Sequence, residues 1–580
     1  MKQNLLAERL LCAAVILLLY GCSSSPQDSI SIRIRWAHDP ETLDPLHLPN
    51  QMAVEGTNLL HLSLLQVDVA RQRYDAALAE SLPTTRLIGD SLTQLRYRLR
   101  PAAAWDDGRP VLASDVAFTL KLMFCPGLPN EAVRARYGFI TAIQPDALDP
   151  RRFALVCRGQ SKEYALASGD FFILPEAALD PRGQLRRFTL ADLQNRPATA
   201  PADTVLQALA RRYAAADQNQ LPGCGPYQLT KWEKDQYLSF RRKPKWWADQ
   251  VRPVPLGLEA KPRQLDYVII PDAPTATLAL RRGDLDVYPQ MPAREFARLR
   301  ASPAARAALN FYSITSFDFV MAGFNTRRPA LADARTRQAL SRCFDAAGLL
   351  RATQLGEGQR TVGIISPTDR ANYNDRLSLI PFDLTGAAQL LGKAGWQRGA
   401  EAGWFRPSSG GTPQQLRLVV RYRADDALFA TVALQFQAAA AELGVPVALR
   451  PTESGAFTTA LQAGDFDVYV RILRGNPFMF NFTPIFHSLG IGASNTTGFH
   501  TPAGDRLIEA VAGADDAAQR GQLLREFQAL MQREAPVVPL FFVPTRIAAA
   551  GGLTGLHVNR LKPGYVATSI ERAPKSSSTP

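Results

Sequence analysis

Residues 97–120 read YRLRPAAAWDDGRPVLASDVAFTL, and this stretch sets the class of fold. Leu95, Tyr97 and Leu99 alternate with Arg96, Arg98 and Arg100, the period-2 pattern of a strand with one buried face. Asp107 and Gly108 supply a turn with a residue that tolerates positive φ. Ser114 and Asp115 suit a helix N-cap and first turn, and Val116, Leu120, Met123 and Phe124 follow at helical spacing. No catalytic grouping sits among them, so the stretch reads as scaffold. The same alternation of strand and helix continues in both directions and points to an α/β protein with mixed sheets.

Upstream, SIRIRWAHDPETLDPL (31–46) places Ile32, Ile34 and Trp36 at period 2 before a polar, proline-bounded turn. Downstream, residues 181–220 join a Pro/Ala-rich hinge to an amphipathic helix near 205–213 and read as an insertion. TATLALRRGDLDVY (275–288) and FTTALQAGDFDVYV (457–470) share one helix-to-strand passage, with Gly283 and Gly464 each placed to end a helix in the left-handed conformation. The final residues, 571–580, read as a disordered tail.

A chain of 580 residues implies two to four domains. The net charge of +13 is spread without a long basic run or basic-aromatic motif, which argues for a solvated surface and against nucleic-acid binding. Lys2 and Arg9 precede the apolar run 10–20, too short to span a bilayer and matching the core of an export signal. Cys22, directly after Gly21, resembles the lipobox of bacterial lipoproteins. That implies removal of residues 1–21 and lipid on Cys22, tethering the chain to a membrane facing the periplasmic space. Tyr20 departs from the small residue usual before that glycine, and an uncleaved or soluble-export signal is the other reading. In an oxidising compartment Cys125, Cys157, Cys224 and Cys343 permit disulfides, with Cys125–Cys157 favoured because a helix end and a nearby strand could meet; four buried thiols are the alternative.

An ordered series of fragments extends along the chain: DPETLDP (39–45), ALAESLP (77–83), the opening stretch, ILPEAALDP (173–181), GCGPYQLTKW (223–232) and RRKPKWW (241–247). GFNTRRPALADARTRQALSRCFD (323–345), PFDLTGAAQLLGKAGW (381–396), NTTGFHTPAGDRLI (495–508) and EAPVVPLFF (534–542) follow. The series resembles extracellular solute-binding protein family 5, receptors of oligopeptide, dipeptide and nickel ATP-driven importers. The resemblance implies a periplasmic-binding-protein-like, two-lobed fold (class II, cluster C) with an extra third domain. On this chain lobe I would comprise 29–60, 172–276 and 494–570, the extra domain 61–171, and the second lobe 277–493. Crossings near 272–277 and 490–496 would form the hinge. The implied protein is a monomer that closes on a peptide or peptide-like solute and delivers it to an ABC permease and its ATPase subunits. The alternatives are a sensor or scaffold without transport, and a receptor for a non-peptide anionic solute.

Peptide-binding members anchor the peptide amino terminus with an Asp in a Trp-x-x-Asp-Tyr-x-Asp-Pro-like segment. The matching stretch is YVRILRGNPFMFNF (469–482), which places Leu473 where that Asp would stand, with Arg471 and Arg474 beside it and Asn476 at the second acidic position. A buried ammonium needs a carboxylate. Either another acid takes the role, with Glu55 available, or the ligand presents an anion to Arg471 or Arg474; both arginines facing solvent is the bland reading. Asn58, Asn325 and Tyr469 complete the expected ligand-binding set, and Trp246 and Trp247 read as core. The six histidines show no metal-ligand spacing. No nucleophile elbow, zinc-protease motif or phosphate loop is present, so the reading is a binding protein, not an enzyme, with no cofactor.

Overall fold

The computed structural model describes residues 31–573, apart from 129, 197–202, 218, 400–402, 408–412, 493 and 515. One sheet of eleven strands runs through both lobes. In lobe I, Ser31–Trp36 lies parallel to Gln264–Ile269, which continues antiparallel into Tyr237–Arg242 and Tyr227–Glu233. In the second lobe Leu418–Arg423 lies between Val447–Thr452 and Val468–Arg474, all parallel. Two long antiparallel strands, Leu309–Phe324 and Val537–Ala550, join the halves. Their register skips between Thr315 and Phe319 and again between Val320 and Met321. Bulges bend a strand and sharpen its twist, so the shared sheet is articulated at these residues.

Three of the cores illustrate the apolar pattern. Ile32, Ile34, Trp36, Phe240 and Tyr267 form that of lobe I, with Trp36 stacked on Tyr267 at 4.0 Å. Val320, Phe324, Phe344, Trp396 and Phe436 form that of the second lobe. Leu95, Tyr97, Trp105, Phe118 and Leu155 belong to the extra domain, whose sheet pairs Thr84–Ile88, Leu92–Arg98, Arg152–Arg158 and Ile140–Pro145 in that order. Gly108 takes φ +82 at the expected turn. The helix after it is Ala113–Met123, capped at Leu112 and not at Ser114. Asp115 makes the cap, since its carboxylate accepts the Leu112 N–H at 2.9 Å and also the Glu176 N–H at 2.9 Å. Gly283 and Gly464 end their helices at φ +80 and +71, as their sequence context requires.

Several elements pack across the expected divisions. From residues 172–276, expected in lobe I, Leu174, Leu185, Leu206, Tyr213, Trp246 and Trp247 share a core with the extra domain. The insertion helix is Thr204–Ala215. From 272–277 onward, Ala276, Leu280, Tyr288 and Phe296 pack against Leu309 and Ala548, and Val287 pairs with Ile34. The helices Pro502–Gly513 and Ala517–Glu534 stay with the second lobe, where Ile508, Leu524 and Phe527 share a core with Phe319 and Tyr469. Arg337 there donates to the Glu534 carbonyl at 3.0 Å. The lobes therefore exchange chain along the two long strands. An amphipathic helix docks wherever its apolar stripe is matched, and its own sequence does not say on which lobe.

Part of the expected tail is ordered, since Glu571–Arg572 pairs with Leu553–Thr554 and Arg572 reaches Asp286 at 2.7 Å. The readings placed on residues 1–21, Cys22 and 574–580 lie outside the described residues. Among the described residues no helix is long and apolar enough to cross a membrane. The Cys125–Cys157 bridge is not formed: Cys125, Cys157, Cys224 and Cys343 are all buried free thiols. The Cys125 Sγ is turned to the Leu206 carbonyl at 3.6 Å, whereas Cys157 sits on the extra domain's sheet opposite Thr93. Burial pushes the Cys125 thiol up to about 11 and the other three up to about 12.

Candidate functional site

Lobe I, the second lobe and the extra domain meet around a cavity of about 360 Å³. Val69 and Gln72 line it from the extra domain, Phe317, Asp369, Phe478 and Phe480 from the second lobe, and Asn559 and Arg560 from a lobe I loop. Arg520, from the first turn of the helix Ala517–Glu534, completes the wall. Each approach has a local cause. Phe317 sits inside the register skip of its strand. Arg560 holds that skip: its guanidinium lies 4.2 Å from the Phe317 ring, and its Nε donates to the Thr315 carbonyl at 2.8 Å. Its Nη2 also donates to Ser366 Oγ at 3.2 Å. Burial lowers the Arg560 pKa, with Asp369 acting in the opposite direction.

The loop after Val468–Arg474 closes the other side. Asn476 Oδ1 accepts the Phe478 N–H at 2.9 Å, an Asx turn that points Phe478 at the extra domain. There Phe478 meets the Tyr74 ring edge-on at 5.6 Å. Glu163 of the extra domain accepts the Phe480 N–H, and burial pushes its carboxyl upward. Arg520 lies 5.9 Å from the Phe480 ring, with its Nε buried and lacking an acceptor.

Beneath the cavity, Asp318 joins the lobes. It is buried, its carboxylate lies 2.9 Å from Lys562 Nζ of the lobe I loop, and Arg474 stands 3.9 Å away on the paired strand. Glu55 lies in lobe I, buried, accepting from the Tyr565 hydroxyl at 2.9 Å and the Trp36 Nε1 at 3.2 Å. Burial pushes its carboxyl up to about 7.

A family model described as bacterial extracellular solute-binding proteins, family 5 Middle, matches residues 74–490. The chain belongs to this family. Among curated relatives it is similar to the peptidoglycan-binding protein YepA of Agrobacterium fabrum, 21% identical over 497 residues, covering 78% of this chain and 75% of that one. Its fold matches the oligopeptide-binding protein of Thermus thermophilus complexed with pentapeptide, at TM-score 0.75 and 18% identity, covering 94% of this chain and 97% of that one. It also matches the oligopeptide-binding protein AppA of Bacillus subtilis in complex with a nonapeptide, at TM-score 0.74 and 18% identity, covering 94% and 99%.

Within this family-5 fold the residues nominated from sequence scatter. Asn476 shapes the closing loop and Arg474 stands at the Asp318 junction, half exposed. Arg471 lies over the Tyr469 ring at 5.2 Å with its Nε buried and unpartnered, off the cavity wall. Tyr469 is core, packed on Gly323, with its hydroxyl bonded to Thr496 Oγ1 at 3.2 Å. Asn325 uses its amide on the Gly464 and Phe466 carbonyls, both at 3.1 Å, and so fixes a turn. Asn58 bonds back to the Val54 carbonyl on an exposed helix face. Sequence reasoning missed Arg520 and Arg560. Neither sits in a motif; only the fold brings these distant arginines to one cavity.

Proposed function

We propose that the protein captures a peptide or peptide-like solute in the interlobe cavity by hinge closure and passes it to an ABC permease with its ATPase subunits, working as a monomer tethered through a lipidated Cys22. The observation that carries this reading is the cavity itself. It lies where three domains converge, next to the bulged strands, and its volume falls in the range of small-molecule sites. The peptides in the two oligopeptide-binding structures and the ligand named for YepA support the class of solute. Closure requires a guest that touches both lobes, since a ligand shifts a conformational equilibrium only by its differential affinity for the two states.

The test is mass spectrometry of small molecules released on denaturing the purified protein, paired with thermal unfolding against a pool of short peptides. Expected is one solute class in the released fraction and a saturable rise in unfolding temperature with its members. Release of nothing, with no stabilisation by any member of the pool, refutes the reading. Palmitate and diacylglycerol labelling of the chain, abolished by Cys22→Ser, tests the anchor separately.

A further inference from the structure

We propose that the cavity selects a solute carrying a carboxylate, held by Arg520 and Arg560, over one whose only charge is a free ammonium. The proposal rests on the reading of this cavity as the solute site. Among the described side chains that line it, Arg520, Arg560 and Asp369 are the charged ones. Asp369 is already engaged, because its Oδ2 accepts from Asn372 Nδ2 at 2.8 Å and its charge acts on Arg560. An ammonium guest therefore meets two guanidiniums against a single carboxylate, whose charge already acts on Arg560.

Arg560 is preorganised. Its Nε and Nη2 are fixed on Thr315 and Ser366 and its plane lies near Phe317, while Nη1 has no acceptor among the described residues. A guanidinium has five N–H donors in a rigid fork, which suits a carboxylate. Arg520 is the converse case. Among the described residues it has no hydrogen-bond acceptor and no ion-pair partner, and its Nε is buried. Arg520 is half-buried; a buried donor left without an acceptor is unfavourable, and an incoming anion that accepts from its Nε removes that penalty. Glu163 feels the charge of Arg520 but makes no ion pair with it within 4.0 Å, and its Oε1 is held by the Phe480 N–H. Phe317, Phe478 and Phe480 leave room for an apolar body beside the anion.

Three probes separate the possibilities: N-succinyl-tri-alanine, which is amine-free, zwitterionic tri-alanine, and tri-alanine amide, which carries only an ammonium. Calorimetric titration of the purified protein is expected to rank them in that order, with at least tenfold between the first and the last. Arg520→Gln lowers affinity for the succinyl probe about tenfold and leaves the amide binding equally or more tightly, and Arg520→Lys recovers part of the succinyl loss. Arg560→Gln acts in the same direction but also loosens the hinge, so Arg520 is the deciding position. Equal or tighter binding of the amide, or an Arg520→Gln variant that binds the succinyl probe normally, overturns the charge preference while leaving the cavity a peptide site. Failure of all three probes overturns the peptide-like reading and the preference with it.

Discussion

Glu55→Gln is expected to change the pH dependence of stability with a sign that can be worked out in advance. Glu55 is enclosed in lobe I, where Trp36, Tyr565 and Gln51 offer hydrogen bonds and Lys562 offers distant positive charge. Desolvation outweighs all of these and raises its carboxyl from the ordinary 4.5 to about 7. Between those two values the folded chain holds a proton that the unfolded chain has released. The unfolded state therefore binds fewer protons, and stability falls as pH rises. The contribution is fully present below about pH 4.5 and is lost as pH passes through 7. The total is roughly 3 kcal/mol at 1.36 kcal/mol per unit. Gln copies the protonated form and keeps an acceptor for Trp36 and Tyr565. Urea unfolding followed by tryptophan fluorescence at pH 5 and pH 8 reads the difference between variant and parent. It should shift towards the variant by about 2.5 kcal/mol across that interval, other titrating groups cancelling in the comparison. A difference that stays constant from pH 5 to pH 8 refutes the reasoning, because it would mean that Glu55 is ionised throughout.

Gly323→Ala places a Cβ 2.3 Å from the Tyr469 ring. It should cost about 1–3 kcal/mol by overpacking, with a smaller loss when combined with Tyr469→Ala; additive losses in a double-mutant cycle count against this. Lys562→Met leaves Asp318 buried with only the more distant Arg474. It should weaken the junction between the lobes by about 3 kcal/mol, seen as a larger radius of gyration in solution scattering, and an unchanged radius would show that the pair does not hold the lobes. Maleimide should label none of Cys125, Cys157, Cys224 and Cys343 in the folded protein and all four in urea; a non-reducing peptide map containing a Cys125–Cys157 bridge would contradict the structure.

Local elements were legible because short-range chemistry sets them. Leu95, Tyr97 and Leu99 are buried along one face, Gly108 turns, and Gly283 and Gly464 end helices. The two-lobed fold was legible because ordered fragments along the whole chain carry it. The packing partners of the later helices were not. The helices Pro502–Gly513 and Ala517–Glu534 have apolar stripes that fit any sheet face, and contacts distant in sequence, such as those of Phe527 with Phe482 and Phe486, place them. Little of the cavity wall was legible. Arg471 and Arg474 raised a question of charge because an expected acid is missing between them, but neither lines the cavity. The arginines that reach the cavity instead come from a helix start and a loop whose spacing carries no signal.

The placement of Arg560 gives the proposed anion site a mechanical consequence. Its Nε bonds the Thr315 carbonyl, the residue at which the pairing of the two long strands first skips, and the same side chain forms part of the cavity wall. Arg520 stands on the second lobe, whereas Arg560 belongs to a lobe I loop anchored through Tyr565. A solute whose two carboxylates are held one by each side chain therefore spans the articulated part of the sheet, and opening must release one of the two guanidiniums. An anion with a single carboxylate that meets only one arginine, such as acetate, binds both states alike and shifts nothing. Donor and acceptor dyes on the two lobes should report closure with N-succinyl-tri-alanine and none with acetate at matched occupancy. Closure by acetate would mean that the hinge responds to charge at one lobe alone, and the bridging argument would fail.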